Sequence, residues 1–402
     1  MKKLLSVLVV LAMVLALFPV GLISVSAEQS GDYTYTVIDS KARITDYTGS
    51  GTTITVPDTL GGYPVTSIGI YAFSYCNTLT AVTLPDSVED IKNYAFYQST
   101  KITTVNLGAG VNMLGISVFA RCTKLTQINA PAGNSSFSSS AGVLFNKTGN
   151  TLVQYPPGKT GAYTVPAGVT AIAANAFYDC DYLISVSVGA AVGSIGSNSF
   201  SLCSVLTQIN VDPANTVYSS LNGVLFDFGK TILIQYPTGK SGAYTIQPGV
   251  VTIANEAFST CSGLTAVNLP AGLTAIGLSA FYYCSGLTSL TIPDSVTQIG
   301  ASAFSVCTNL EILNLGTGVQ SIGANAFNSC RKIASLAMPD SVISIGDNAF
   351  SSCDLLASVS IGSGLASLGE SVFAYCINIA QFSISSSNAA YSCPGGVLYD
   401  IE

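Results

Sequence analysis

The sequence predicts a β-rich repeat solenoid, with one parallel sheet of stacked short strands, short helical or irregular turns opposite it, and two inserted β-hairpins. Three observations carry that expectation. A phrase of the form Ala-Phe-x-x-Cys recurs along the chain, as "AFSYC" from Ala72, "AFYDC" from Ala176, "AFSTC" from Ala257, "AFYYC" from Ala280, "AFNSC" from Ala326 and "AFSSC" from Ala349. The phenylalanines at its register (Phe73, Phe96, Phe119, Phe177, Phe200, Phe258, Phe281, Phe304, Phe327, Phe350 and Phe373) lie 23 residues apart, except for two gaps of 58. Only 9% of residues are charged, and small polar residues separate regularly spaced Leu, Ile and Val. Self-similarity at a fixed period of this size means stacked units, none of which is stable alone.

In chain order, residues 1–27 read as a secretory signal peptide: Lys2 and Lys3, an apolar stretch from Leu4 to about Ile23, then the small residues Val25 and Ala27 at a cleavage site. A single membrane anchor is the alternative, since the apolar run is nearly long enough to span a bilayer. Residues 28–60 alternate Tyr, Val and Ile with polar residues and predict a β cap over the first coil. Residues 61–402 form the solenoid.

One unit can be followed in "LTSLTIPDSVTQIGASAF", residues 287 to 304. Leu290 and Ile292 alternate with Thr291, the period of a strand with one buried face. Pro293 and Asp294 end it, because Pro cannot donate to a ladder and Asp favours a turn. Val296 and Ile299 then return inward, Phe304 plugs the core, and Cys307 with Leu310 closes the coil. The two long gaps hold insertions near 131–165 and 212–246, in which "VLF" and "LVQY" or "LIQY" read as hairpin strands and "AYT" resumes the solenoid. A truncated third insertion begins at about 385. It stops inside its hairpin, so the sequence is expected to be a fragment of a longer protein, the alternative being a last coil left uncapped.

Composition removes whole classes of function. The sequence has no His, so imidazole-based triads and His-ligated zinc sites are excluded. Without the leader, 12 basic residues face 21 acidic ones, a net of −9, and no basic stripe exists to neutralise phosphates. No second hydrophobic span follows the leader, so no transmembrane segment is expected after signal cleavage.

The unit L-x-x-V-x-L-P followed by V-x-x-I-G-x-x-A-F-x-x-C, at a period of 23, resembles the BspA-type leucine-rich repeat family. The "GVLF…YP" insertions and the N-terminal "YTV" resemble that family's accessories, and the resemblance runs from about Gly31 to Glu402. It implies a leucine-rich repeat protein, secreted or displayed on the cell surface of bacteria from mucosal and gut habitats. It also implies a non-catalytic role in adhesion or protein contact. The alternative is a targeting or spacer region of a larger secreted enzyme or wall-anchored protein. Neither the resemblance nor the residues imply a cofactor.

Three sets of residues are candidates for more than packing. The cysteine ladder (Cys76, Cys122, Cys180, Cys203, Cys261, Cys284, Cys307, Cys330, Cys353 and Cys376, with Ser99 in the second repeat) reads as buried thiols beside the repeat Phe; Cys393 lies outside it. The open strand face carries Thr83, Asn106, Asn129, Ser187, Asn210, Asn268, Thr291, Asn314, Ala337, Ser360 and Ser383. It reads as a wet, hydrogen-bonded face or as a shallow contact surface for a protein or glycan. Tyrosines gather beside the repeat Phe: Tyr71, Tyr75, Tyr94, Tyr97, Tyr178, Tyr182, Tyr282, Tyr283 and Tyr375. Since Ala and Phe take the inward places, these are the sharper candidates for contact with a host or matrix protein, Tyr being enriched in contact hot spots. The strand face offers no facing carboxylate pair, and Glu311 on its edge is the acid to examine for hydrolysis.

Overall fold

The computed structural model describes residues 27–401, so the expected leader lies, apart from Ala27, outside the described residues. The chain winds as a solenoid of short strands. On the first wall, Thr53–Thr55, Ala81–Thr83, Thr104–Asn106 and Gln127–Asn129 pair in parallel, each with its equivalent one coil on. The same wall continues in shorter groups, as in Ser335–Ala337, Ser358–Ile361 and Gln381–Ile384. Leu290 and Ile292 are buried and Thr291 is exposed, as the alternation requires.

A second parallel ladder, not anticipated from sequence, forms the adjacent wall. Its longest stretch runs from Ile232–Gln235 through two-residue strands such as Ala275–Ile276 and Gln298–Ile299 to Ser367–Leu368. Each strand offers only one inward side chain, as with Ile299 beside exposed Gln298. Period-2 alternation needs a longer run to show itself. Gly300 lets these walls turn closely: a Cβ there would stand 2.6 Å from the Gly277 carbonyl.

The third edge, at the repeat Phe, is irregular rather than helical. Among the described residues the sole helical element is one 3-10 turn, Pro394–Gly396. The residues two before and two after each repeat Phe are left-handed, as Ser302 at φ 54° and Val306 at φ 61° are around Phe304, and left-handed residues cannot continue a right-handed helix. Main-chain bonds run between coils instead: the N–H groups of Ser302, Phe304 and Val306 donate to the carbonyls of Ala324, Ala326 and Asn328 in the next coil. Three main-chain donors per turn are satisfied this way.

Inside, the phenylalanines stack. Phe304 lies between Phe281 at 5.0 Å and Phe327 at 5.2 Å, with ring planes within 8° of parallel. The cysteines do more than fill space: Cys122 Sγ donates to the Phe96 carbonyl at 2.9 Å and Cys307 Sγ to Phe281 at 3.3 Å. Ser99 Oγ donates to the Phe73 carbonyl at 2.5 Å, which is why Ser substitutes for Cys in this one coil. Burial holds the Cys122 and Cys261 thiols far above their ordinary pKa, as neutral donors. Cys393 Sγ donates to the Phe382 carbonyl at 3.0 Å.

Each insertion is a three-stranded antiparallel meander, one strand more than the expected hairpin. In the first, Phe137–Ser140, Val143–Asn146 and Thr151–Gln154 pair in turn, and the last joins the second wall beside Ala171–Ile172. The following Tyr155 is buried and stands 5.2 Å from the Phe177 ring; in the second insertion Tyr236 stands 4.9 Å from Phe258. The insertion therefore contains a coil of its own, with Tyr in the place of Phe. Near the C-terminus, Tyr391–Ser392 and Tyr399–Asp400 pair antiparallel, as the first two strands of a meander do. At the other end, Ala27–Ser30, Tyr33–Ile38 and Lys41–Tyr47 form an antiparallel sheet whose last strand pairs in parallel with Tyr63–Ile68.

Candidate functional site

The left-handed turns decide where the tyrosines go. Tyr71 and Tyr75 take the two left-handed positions around Phe73, and Tyr94 takes the first around Phe96, so their side chains leave the core and project from the turn edge. Tyr71 stacks on Tyr94 at 5.3 Å with planes 9° apart, and Tyr97 stands nearly perpendicular to Tyr71, Tyr75 and Tyr94 at 6.0, 5.8 and 6.0 Å. Edge-to-face and offset-stacked pairs are the favoured aromatic arrangements. Tyr71 remains 47% and Tyr75 60% exposed, so the cluster presents ring surface outward.

Tyr178 joins from the far side of the first insertion, lining with Tyr71, Tyr94, Tyr97, Arg121 and Asp179 a hollow of about 260 Å³. A contiguous groove of about 320 Å³ is lined by Gln98, Thr100, Arg121, Thr123, Asp179 and Asp181, among others. Five of the nine expected tyrosines are thus brought together. Tyr282 and Tyr283 form a separate tilted pair at 6.3 Å. Tyr182 and Tyr375 are exposed without a ring partner among the described residues. Sequence reading missed Arg121 and Asp179, although both occupy the place two residues after the repeat Phe, where the other coils carry uncharged residues.

Asp179 has a structural cause. The Arg121 N–H belongs to a coil whose usual partner is displaced by the insertion, and the Asp179 carboxylate accepts it instead. Burial pushes the Asp179 carboxyl from 3.8 up to about 6, against the pull of that N–H and of the Arg121 guanidinium, with Asp181 adding to the rise. A carboxyl whose folded pKa is raised favours the native state when protonated. Its contribution therefore declines as pH rises from about 4 through about 6. Asp179→Asn keeps an acceptor for the Arg121 N–H and removes the titration. Urea midpoints measured from pH 4 to pH 7 should give a variant-minus-native difference that grows with pH, to on the order of 2–3 kcal/mol at pH 7. Parallel curves would remove this role from Asp179.

The strand face is bonded to itself. Asn106 Nδ2 donates to Thr83 Oγ1 at 3.1 Å and Asn129 Nδ2 to Asn106 Oδ1 at 2.9 Å; Asn314 donates to Thr291 at 3.3 Å. Asn268 donates to Thr245 at 3.0 Å, whereas Asn210 turns to Gln208 at 3.2 Å. Apart from that of Asn210, these amides bond from one coil to its neighbour along the sheet. Glu311 pairs with Lys332 at 3.1 Å on the exposed surface.

This architecture is that of a leucine-rich repeat solenoid with an aromatic cluster on its turn edge. The chain belongs to the family described as BspA type leucine rich repeat region, whose model matches residues 46–157, 159–226, 238–333 and 274–392. Among solved structures, a leucine-rich repeat protein from Eubacterium ventriosum is similar at 21% identity and a TM-score of 0.57, covering 93% of this chain and 99% of that one. A leucine rich cell surface protein from Faecalibacterium prausnitzii shares 27% identity over 90% of this chain and 96% of that one, at a TM-score of 0.49. The pneumococcal vaccine antigen PcpA shares 19% identity over 93% and 92%, at a TM-score of 0.48. No curated protein matches the sequence.

Proposed function

We propose that this protein is a secreted or cell-surface bacterial scaffold that acts without catalysis, in adhesion or ligand binding, through the tyrosine cluster on its turn edge. The observation that carries the reading is the exposed Tyr71–Tyr94 stack with Tyr75 and Tyr97 around it, opening onto the Arg121–Asp179 groove. Rigid aromatic surface beside a few charged groups is the composition of a contact hot spot, and a host or matrix protein is its partner in this reading. Membership of the family and the leader-like N-terminal sequence support display outside the cell. A non-catalytic role is supported by membership of a repeat family.

The test uses the backbone. Tyr75 and Tyr375 both occupy left-handed turns, at φ 57° and 62°, a conformation Asn tolerates. Host matrix proteins captured on a surface should bind Tyr75→Asn with roughly 10-fold lower affinity. Tyr375→Asn, at the same place in a distant coil, should bind as the native protein does. Equal affinities of all three proteins for every partner would reject the tyrosine edge as the contact.

A further inference from the structure

We propose that two equivalent clefts, one beside each insertion, bind the main chain of a short, neutral, extended peptide. Neither cleft is lined by a tyrosine of the cluster, and the proposal stands or falls independently of it.

The main-chain ladder of the turn edge carries the argument. In the coils of Phe96, Phe177, Phe258, Phe281, Phe304, Phe327 and Phe350, the repeat Phe and the residues two before and two after it all donate their N–H groups to the next coil. The coils of Phe119 and Phe200 precede the insertions, and there the pattern stops. Among the described residues, the N–H groups of Ser117 and Phe119 have no acceptor, nor do those of Asn198 and Phe200. The carbonyls of Ala174 and Asn255, which an uninterrupted ladder would use, accept no main-chain bond. Phe119 and Phe200 are each 1% exposed, and a buried N–H left unpaired costs free energy comparable to a lost hydrogen bond.

The residues that carry both sets of groups line a space. A cleft of about 330 Å³ is lined by Ser117, Phe119, Val153, Gln154 and Ala174, and its counterpart of about 220 Å³ by Asn198, Phe200, Ile234, Gln235 and Asn255. Corresponding residues are 81 apart in sequence, so the chain builds the site twice. Gln154 and Gln235 are held to one wall, where their amides donate to the Tyr155 and Tyr236 carbonyls at 2.9 and 3.1 Å.

The chemistry selects the occupant. No Lys or Arg lines either cleft, and Glu256 lines the second, where burial already raises its carboxyl pKa. A carboxylate or phosphate would therefore be desolvated without a counter-charge. Two donors on one wall, one acceptor on the other and apolar side chains between them match a peptide group, which offers both C=O and N–H. Main-chain pairing supplies affinity in strand addition to an open edge, and pockets supply side-chain preference.

The probe is N-acetyl-Val-Ala-Val N-methylamide, titrated at millimolar concentration into the isotope-labelled chain while backbone amide resonances are followed. The amides of Ser117, Phe119, Asn198 and Phe200 should shift saturably. Acetate at the same concentration should leave them in place. Ala174→Trp, at an exposed position on the first cleft, should raise the peptide concentration needed at Ser117 and Phe119 at least 10-fold, on the order of 1.4 kcal/mol. Asn198 and Phe200 should still respond, which shows the variant folded. Absence of shifts at all four amides, equal shifts with acetate, or an unchanged first cleft in Ala174→Trp would each overturn the proposal.

Discussion

Replacing Asn215 with Ala is expected to loosen the second insertion by on the order of 3 kcal/mol. Asn215 is 1% exposed and every bonding capacity of its amide is used. Its Nδ2 donates to the carbonyls of Gly189 and Val192 at 3.0 and 2.8 Å, and its Oδ1 accepts the N–H groups of Val217 and Tyr218 at 2.9 and 2.8 Å. One side chain thus ties the preceding coil to the start of the meander. Asn134 makes the same bonds in the first insertion and Asn388 in the C-terminal copy. Truncation strands four main-chain groups around a buried amide site. Amide exchange at Val217 and Tyr218 should accelerate by roughly two orders of magnitude, and Asn215→Asp, which keeps the acceptor but loses the donor, should be no milder. Unchanged exchange in both variants would show that the meander is held by its own ladder.

That asparagine was readable in principle. "NSSF", "NTVY" and "NAAY" place Asn three residues before an aromatic at each insertion, but the signal lies outside the 23-residue register and competes with the usual reading of Asn as a turn residue. What the sequence does display is whatever repeats with the coil: the first wall, the Phe stack and the cysteine ladder. The second wall escaped because a pair such as Gln298–Ile299 is too short to alternate. The coil inside each insertion is hidden because its plug is Tyr155 or Tyr236, 22 residues before the next Phe, so both its ring and its spacing depart from the 23-residue Phe register.

The candidate site divides along the same line. Tyrosine positions were legible because they neighbour the register Phe, and Ala and Phe take the inward places of that turn. Which of them meet was not legible, since Tyr178 reaches Tyr94 and Tyr97 across an insertion whose path sequence alone leaves open. Arg121 and Asp179 gave a usable signal, opposite charges at one turn position in coils that an insertion separates. Their meaning depends on the break in the main-chain ladder, a property of coil stacking rather than of any residue.

Phe304→Ala should cost about 3–5 kcal/mol, and should show how far damage travels along the stack. Phe304 is fully buried in the longest continuous core, which runs from Val224 to Val372, and loses ring contacts on both sides, at 5.0 and 5.2 Å. In a solenoid each coil contacts only its neighbours, so stability is a sum of coil terms and nearest-neighbour interfaces. Exchange protection should therefore collapse around Phe281 and Phe327 and remain near native around Phe73 and Phe96, whose rings belong to a separate core. The comparison is Phe373→Ala. Phe373 is partly buried and stacks on Phe350 at 5.9 Å, with Phe382 edge-on to it at 5.2 Å, so its loss should cost less and open only the coils beside it. If Phe304→Ala instead lowered protection evenly from Phe73 to Phe373, the insertions would not divide the solenoid energetically, and its three cores would unfold as one.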